Sequence, residues 1–234
     1  MRVPVVHYDD LDINKNILLD LPFREGSGII TQDIAKLHHP ITMVNTPTWT
    51  ALASGLMTLT LNGTNQYLQC AAASCVDLNF TSGDYSIIGL ISWSNSAEDS
   101  QIVIGRYKVS YDGWEVYLTE SGASRYLSLR HHHASGASLR TGAYSLGWTY
   151  DTNWVYGITR TGSTAQFYKN GVAIATVSDV LIDPETCDDD LVIGVRFTKD
   201  SNYLKNTLGW HRVFGEALTP RQHMIAYTQI KRWL

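Results

Sequence analysis

One segment, residues 151–177, constrains the fold of this chain more than any other, because two tight turns divide it into three strand-like runs. Apolar residues alternate along the run that begins at Trp154, and only Asn170-Gly171 separates the second run (165–169) from the third (172–177). Asn-Gly accepts the positive φ that both central positions of a type I′ hairpin turn require. The segment therefore predicts three consecutive antiparallel strands.

Similar turns recur through most of the 234-residue chain and predict an all-β fold. Aromatic residues make up 11% of the chain and charged residues only 17%, a composition that favours half-buried pleated surface over helix. The further turn dipeptides are Asn62-Gly63, Ser82-Gly83, Asp112-Gly113, Ser121-Gly122, Ser135-Gly136 and Thr161-Gly162. We expect two packed antiparallel sheets that form one domain over residues 17–218, since sandwiches of this size commonly have a single core.

The amino-terminal residues 1–16 depart from this pattern. They are polar, include Asp9, Asp10 and Asp12, and lack both helical and strand periodicity. We expect an arm that lies on the surface of the sandwich or on a partner, where it could support a homo-oligomer or a larger assembly.

The carboxyl-terminal residues 219–234 predict a short closing helix. An N-cap, a first-turn proline and a reciprocal capping partner are supplied by Thr219, Pro220 and Gln222. Apolar residues follow at helical spacing, so we expect Trp233 and Leu234 to pack against the sandwich.

Charge and hydropathy exclude two classes of partner. The net charge is −4 and no basic stripe with interleaved aromatic residues is present, which argues against nucleic acid. No apolar run is long enough to cross a bilayer, and the amino terminus shows no signal peptide, so we expect a soluble chain with no membrane partner. Of the three cysteines, Cys70 and Cys75 are close enough in sequence to form a small disulfide loop, and free thiols are equally compatible.

The order of the strand signals resembles the laminin-G-like branch of the concanavalin A-like lectin/glucanase superfamily. The matching segments are residues 21–28 with Asp33, then 59–63, 67–68, 85–93, 113–118, 153–155, 168–171, 191–194 and 209–219. The resemblance implies a two-sheet antiparallel jelly-roll sandwich. Its members bind sugars, proteins or calcium, cleave polysaccharides, or decorate larger assemblies, so the activity must be read from the site.

Neither type of polysaccharide-cleaving motif known in the superfamily is matched. The hydrolase relatives carry several acids on one strand, but Tyr117 occupies the middle acidic position between Glu115 and Glu120. These two glutamates are five residues apart, so we expect them on opposite faces of a regular strand. The lyase relatives use a Gln-x-His that this chain lacks, and Gln222-His223 falls on the predicted helix. The sequence favours a protein that is not an enzyme.

The run His131-His132-His133 is a weaker metal candidate. On a strand His131 and His133 would share one face at a spacing that can chelate zinc or nickel, but a site needs a third ligand, and His38-His39 is the only other histidine pair. We favour a polar strand end over a metal site.

An acidic loop before the predicted strand 191–197 is the leading metal hypothesis. Calcium takes several carboxylate oxygens from flexible loops, and the related sandwiches often hold such an ion at their rim. A solvated acidic turn is the alternative. The predicted calcium ligands are Asp33, Asp183, Asp188, Asp189 and Asp190.

Aromatic and amide side chains near the predicted loops form the candidate ligand-binding set. Sugar C–H faces stack on rings while hydroxyl groups bond to polar side chains. Four tryptophans, Trp93, Trp114, Trp154 and Trp210, are first assigned to the core because they alternate with aliphatic residues. The remaining set is Trp148, Tyr150, Asn153, Tyr111, Asp112, Asn202 and Tyr203.

These features support two functions of different classes. The first is a lectin-like recognition module that binds carbohydrate or a cell-surface polymer through rim loops, with calcium as its one candidate cofactor. The second is a structural component of a larger assembly, such as a virion decoration or fibre protein. Both place the protein at a virion or extracellular surface, and a polysaccharide hydrolase or lyase ranks third.

Overall fold

A computed structural model describes residues 11–95, 100–122, 124–142, 147–177 and 179–234. Most of the predicted arm, residues 1–10, lies outside the described residues. Its last part forms a short 3-10 turn (Asp12–Asn14) in which Ile13 is buried against the sandwich.

The described residues form seventeen strands and one α-helix. In chain order these strands are β1 (Ile17–Leu21), β2 (Ile30–Gln32), β3 (Pro40–Val44), β4 (Thr48–Ala51), β5 (Met57–Asn62), β6 (Tyr67–Cys70), β7 (Tyr85–Ile91), β8 (Ser100–Lys108), β9 (Asp112–Ser121), β10 (Ser124–His133), β11 (Gly136–Gly142), β12 (Trp154–Thr161), β13 (Thr164–Lys169), β14 (Val172–Ile174), β15 (Thr176–Val177), β16 (Leu191–Ile193) and β17 (Lys205–Phe214). The helix is α1 (Pro220–Ile230).

The strands form two sheets, which confirms the predicted all-β sandwich. The eight-stranded sheet has the order β14-β13-β12-β7-β17-β5-β4, with β1 also paired to β17. The nine-stranded sheet has the order β15-β11-β10-β9-β8-β16-β6-β3-β2. All pairings are antiparallel, so alternate residues of each strand point to opposite faces of its sheet.

The inner faces of the two sheets enclose the main core. In the nine-stranded sheet Val116 pairs with Leu129 and Leu118 with Leu127, and all four side chains are buried. The predicted core tryptophans Trp93 and Trp114 belong to this layer, Trp154 packs partly against it, and Trp210 is buried on the other side of the eight-stranded sheet.

The hairpin predicted at Asn170-Gly171 is confirmed. Asn170 has φ 52° and Gly171 φ 77°, the two positive values of a type I′ turn. A Cβ atom on Gly171 would lie 2.9 Å from Tyr227 Cβ and 3.0 Å from Met224 Cα, so α1 sits directly on the turn. The third predicted strand is divided at Ala175 into β14 and β15, which belong to different sheets.

The closing helix begins with the predicted capping box. Thr219 Oγ1 accepts from the backbone N–H of Gln222, whose side chain accepts from the backbone N–H of Thr219. The expected burial of Trp233 and Leu234 is wrong, since they are 37% and 45% exposed. The α-helix ends at Ile230, and both residues lie beyond it, in and after a 3-10 turn that contains no buried residue.

The outer faces of the two sheets differ. On the eight-stranded sheet Ile88, Leu90 and Trp210 are covered by Ala226 and Ile230 of α1. A smaller apolar cluster lies on the outer face of the nine-stranded sheet: Ile102, Tyr107, Tyr117, Val192, Val195 and Tyr203. The segment 195–203 covers only part of that face, and none of the described residues forms a helix there.

Five histidines are buried, and three of them, His131, His211 and His223, form no ion pair with a carboxylate of the described residues. Burial lowers the pKa of His131 and His211 to about 4 and that of His223 to about 3. His223 lies on the buried face of α1, where its ring stacks 3.7 Å from that of Tyr168 and its Nε2 is 2.7 Å from Thr159 Oγ1.

Among the described residues no helix has the length and apolarity needed to span a membrane. Cys70, Cys75 and Cys187 are buried free thiols, so the structure adopts the unpaired alternative for Cys70 and Cys75.

Candidate functional site

A groove crosses the open part of the nine-stranded sheet's outer face. It consists of two adjoining cavities, of about 310 Å³ and about 260 Å³, which share Tyr117 and Thr119. The first is lined by Ser100, Ile102, Tyr107, Val109, Glu115, Arg130, Arg196 and Asn202, and the second by Glu120, Ser121, Tyr126, Ser128, Leu139 and Thr141.

Strand alternation places these side chains. Along β9, Trp114, Val116 and Leu118 enter the core, so Glu115, Tyr117 and Thr119 must face outward. The register of β9 with β10 then sets Arg130 opposite Glu115, Ser128 opposite Tyr117 and Tyr126 opposite Thr119. The groove floor is therefore a grid of cross-strand polar and aromatic pairs.

At one end of the groove a buried carboxylate holds two basic side chains. Glu115 is 3% exposed, and its Oε1 is 3.3 Å from Arg130 Nη1 and 3.0 Å from His132 Nε2. Arg130 also donates from Nη2 to Tyr117 Oη at 2.6 Å and stacks 4.7 Å above the Tyr117 ring. Burial raises the pKa of Tyr117 despite the nearby guanidinium, so its phenol stays protonated at neutral pH.

A second arginine faces the same cavity without an ion pair among the described residues. Arg196 is half-buried and stacks 5.4 Å above Phe197. Asn202 borders it and donates from Nδ2 to the backbone and side-chain oxygens of Ser100. At this end of the groove, hydrogen-bond donors therefore surround the Glu115 carboxylate, whose charge is neutralised by Arg130.

The other end of the groove is uncharged over most of its floor. Tyr126 is half-buried there, and Ser128 Oγ donates to Thr141 Oγ1 at 3.2 Å. Hydroxyl groups beside a phenol ring match the alternating apolar and hydroxyl surfaces of a sugar.

The groove's two carboxylates are too far apart for glycoside hydrolysis. Glu115 and Glu120 are five residues apart on β9, which corresponds to roughly 16 Å. Hydrolysis needs a pair about 5 to 9.5 Å apart. Glu120 is instead paired with Arg125 at 2.8 Å. It lies at the end of β9 and borders the groove, although the sequence predicted that it would lie on the opposite face of the strand from Glu115.

Two of the predicted ligand-binding residues adjoin this groove. Asn202 lines it. Tyr203 is 9% exposed, donates to the Lys199 carbonyl and packs on Tyr67, so the prediction of a free loop ring is wrong. The segment 195–203 folds onto the sheet and buries the ring.

The prediction that Trp148 stacks on a ligand is also wrong. Trp148 is fully buried, 6.1 Å from Trp93 and 6.4 Å from Trp154, because its loop closes the end of the core. Tyr150 is half-buried under the Arg125 guanidinium at 4.1 Å, and Asn153 is half-buried in the same loop.

Tyr111 and Asp112 lie at the other end of the β8–β9 hairpin. Lys108 pairs with Asp112 at one end of the hairpin, and Ser100 pairs with Thr119 at the other end, which is the end near Tyr150. The length of the strands therefore separates Tyr111 from Tyr150 by roughly 25 Å. Tyr111 is 57% exposed under Lys108. The structure does not bring the predicted set to one site.

Asp33 is not available as a rim ligand. Its carboxylate is buried and accepts hydrogen bonds from the backbone N–H groups of Asp20, Ala35 and His39. His39 Nδ1 lies 2.6 Å from Asp33 Oδ2, and its Nε2 lies 3.0 Å from Asp77 Oδ1. Burial alone would lower the pKa of His39, but the two carboxylates raise it to about 9.

The other predicted calcium ligands point to separate partners. Asp183 is paired with Arg160, Asp190 with Lys199 at 2.6 Å, and Asp188 is exposed. The structure therefore does not gather the predicted calcium set.

A different group converges nearby. Ligand atoms of Asp112, Cys187 and Asp189 lie within 4.8 Å of one another. Burial and the adjacent Asp112 raise the pKa of Cys187 to about 12. A cysteine sulfur is also a poor match for calcium, which takes oxygen ligands. Calcium binding remains an untested prediction.

The histidine run is neither a chelate nor a polar strand end. His131 enters the core and its Nε2 meets Tyr85 Oη at 2.7 Å, whereas His132 faces the groove beside Glu115. His133 Nδ1 lies 2.6 Å from Ser135 Oγ. The sheet pleat sends His131 and His132 to opposite faces, where both are buried.

The fold is similar to that of several solved binding domains. The receptor-binding domain of botulinum neurotoxin D matches with a TM-score of 0.70 and 13% identity, over 93% of this chain and 54% of that chain. The binding domain of Paraclostridial Mosquitocidal Protein 1 matches with a TM-score of 0.69 and 13% identity, over 93% and 53%.

A third similar structure belongs to botulinum neurotoxin type C, whose cell entry is described as dependent upon interaction with two ganglioside molecules. It matches with a TM-score of 0.65 and 14% identity, over 94% of this chain and 53% of that one. The chain thus spans about half the length of these structures. No family model and no curated protein matches it, so the resemblance to the laminin-G-like branch stays a prediction within a confirmed two-sheet antiparallel sandwich.

The sequence prediction missed Arg130, Arg196 and Tyr126, and it considered His132 only as part of a histidine run with a weak metal-binding signal. A signal was present for the first: polar residues alternate with core residues along β9 and β10, so each strand has a polar outer face. The pairing register that sets Arg130 beside Glu115 has no local signal.

Proposed function

We propose that the groove on the nine-stranded sheet binds glycan, and that the chain is a recognition module rather than an enzyme. The observation that carries this proposal is the grid formed by Glu115, Arg130 and Tyr117, with hydroxyl groups and Tyr126 alongside. Sugars are recognised by planar charged groups that bond to vicinal hydroxyls and by rings that contact C–H faces.

Preorganisation supports the proposal. Glu115 is buried between Arg130 and His132, so the Arg130 guanidinium is held in place before a ligand arrives. Groups held in this way lose little side-chain entropy on binding. The groove lies on the sheet itself and not on the rim loops that the sequence favoured.

The fold comparisons support the same class of function. The similar solved structures are binding domains, and for one of the toxins an interaction with gangliosides is described. At 13–14% identity they support the scaffold and no individual contact.

Glycan-array screening followed by calorimetry tests the proposal. Arg196 faces the groove and has no ion pair among the described residues, so Arg196→Gln should weaken binding of an array-selected glycan about fivefold or more and leave the Tm unchanged. Arg221→Gln is the matched control, because Arg221 is exposed on α1, outside the groove.

Equal affinities for wild type and Arg196→Gln would refute the groove as the site. A wild-type protein without glycan binding, whose oligomer dissociates when residues 1–16 are deleted, would instead favour the assembly component. Cleavage of a bound glycan, lost in Glu115→Gln, would show that the protein is an enzyme.

A further inference from the structure

A separate cleft lies on the opposite sheet, beside the carboxyl end of α1. It consists of two adjoining cavities, of about 100 Å³ and about 360 Å³, which share Arg24, Leu56, Gln229 and Trp233. The smaller cavity reaches Trp210 and Arg212, and the larger reaches Gly55, Met57 and Arg232.

Arg212 forms the inner wall of the smaller cavity with an unsatisfied donor. Its side chain is 11% exposed, its Nε lies 2.9 Å from Asp20 Oδ2, and its Cζ lies 4.5 Å above the Trp210 ring. Its Nη1 is buried and has no hydrogen-bond partner among the described residues. Buried guanidinium donors are normally hydrogen-bonded, so this atom indicates room for an acceptor.

Two further guanidinium groups surround the opening. Arg24 and Arg232 are exposed, and no described residue lining either cavity is a carboxylate. Among the described residues, Asp20 is the one carboxylate that forms an ion pair with any of these three arginines, and its partner is Arg212. The uncompensated positive charge of the cleft therefore favours an anion.

The larger cavity adds an aromatic surface. Trp233 is 37% exposed, with the Arg232 guanidinium 4.9 Å above its ring. Ser54 Oγ donates to the Trp233 carbonyl and so fixes this last turn against the neighbouring loop. Leu56 and Met57 supply apolar contact beside the ring.

We infer that this cleft binds a small organic anion. Its carboxylate, sulfate or phosphate group occupies the smaller cavity, where it accepts from Arg212 Nη1 and Arg24. The sugar or other ring that carries the anion packs on Trp233 in the larger cavity. The cleft is on the opposite sheet from the glycan groove, so neither proposal depends on the other.

Titration of the intact protein with four probes tests the inference and identifies the anion. The probes are glucuronate, glucose 6-sulfate, glucose 6-phosphate and uncharged glucose, followed through the indole N–H resonance of Trp233, which a Trp233→Phe variant assigns. We expect at least one charged probe to shift this resonance with a Kd of about 5 mM or tighter, and glucose to leave it unchanged.

Substitutions separate a built site from general electrostatic attraction. Arg24→Gln should weaken binding of the best probe at least about fivefold, whereas Arg221→Gln, the same charge change at the other end of α1, should change it less than about twofold. Arg212→Lys keeps the charge opposite Asp20 but removes the planar donor, so it should weaken binding at least about fivefold without unfolding. No shift up to about 20 mM of any charged probe, or equal losses in Arg24→Gln and Arg221→Gln, would overturn the inference.

Discussion

The outer faces of the two sheets are made of the same alternating strands, yet one is closed and the other open. On the eight-stranded sheet, aliphatic residues such as Ile88 and Leu90 are covered by α1. On the nine-stranded sheet, the corresponding positions of β9 and β10 carry Glu115, Tyr117 and Arg130, which a covering helix would have to desolvate. The cover of α1 therefore contributes to stability, and the open face is the one on which we propose glycan recognition.

Acidification should give the largest change in stability that tests this contrast. Burial holds the pKa values of His131, His211 and His223 at about 4, 4 and 3, below the value near 6.5 of an unfolded histidine. The unfolded state therefore binds more protons between pH 6.5 and 4, and stability falls as the pH drops through that window. The loss approaches about 1.4 kcal/mol per pH unit for each histidine.

Denaturant unfolding from pH 7 to pH 4.5 measures this slope. His223→Gln removes the buried titrating group of α1 and should flatten the profile by up to one proton. A His223→Gln profile as steep as wild type would show that the closed face is not the acid-sensitive one.

Gly171→Val should be the next largest effect, and it acts on the closed face alone. A β-branched residue is strained at φ 77°, and its Cβ would fall 2.9 Å from Tyr227 Cβ. Strain and overpacking together should lower the free energy of unfolding by about 2–4 kcal/mol.

Urea unfolding measures this effect, and Gly162→Val is the matched control. Gly162 also has a positive φ, 55°, but a Cβ there would meet nothing within 4 Å. Gly171→Val should therefore cost more than Gly162→Val, and equal losses would mean that α1 does not rest on the turn.

Glu115→Gln tests the open face with a smaller expected loss. Its carboxylate is buried beside Arg130 and His132, so neutralising it leaves two donors around an amide. Because Arg130 is 32% exposed and can be solvated, we expect a loss of about 1–2 kcal/mol of stability. Thermal unfolding measures it, with Glu120→Gln at the exposed pair as control, and a loss no larger than the control's would contradict the assignment of Glu115 as the anchor.

Tyr126→Ala should have the smallest effect and only on binding. Loss of one stacking ring should weaken a bound glycan by about 1 kcal/mol, or roughly fivefold, while stability changes little. Tyr111→Ala, in the exposed ring beyond the far end of the hairpin, should leave the affinity unchanged. Calorimetry with both variants decides between groove and rim, because the reverse result would restore the rim site.

The parts of this fold that could be predicted from sequence are those with a local cause. The turn at Asn170-Gly171 follows from the φ values that this dipeptide tolerates, and the start of α1 follows from the cap at Thr219. Both involve residues within four positions of each other.

The site could not be predicted in the same way, because its residues meet through strand pairing. Arg130 reaches Glu115 only in the register that β9 and β10 adopt. Tryptophan is a residue type typical of sugar-stacking surfaces, but Trp148 is buried through contacts with Trp93 and Trp154, which lie in other segments of the chain. Sequence reasoning identified residue types suited to sugar binding, but the structure does not bring the chosen residues to one surface.

The division of one predicted strand at Ala175 has a consequence for how chains can associate. β14 ends one sheet and β15 ends the other, so a single continuous segment closes the same side of both sheets. The opposite margins, β2 and β4, are bridged near their ends by a side-chain bond from Trp49 Nε1 to the Gly28 carbonyl. A strand from another molecule that paired with β14 or β15 would therefore act on one segment shared by both sheets, whereas pairing at β2 or β4 would engage one sheet at a time.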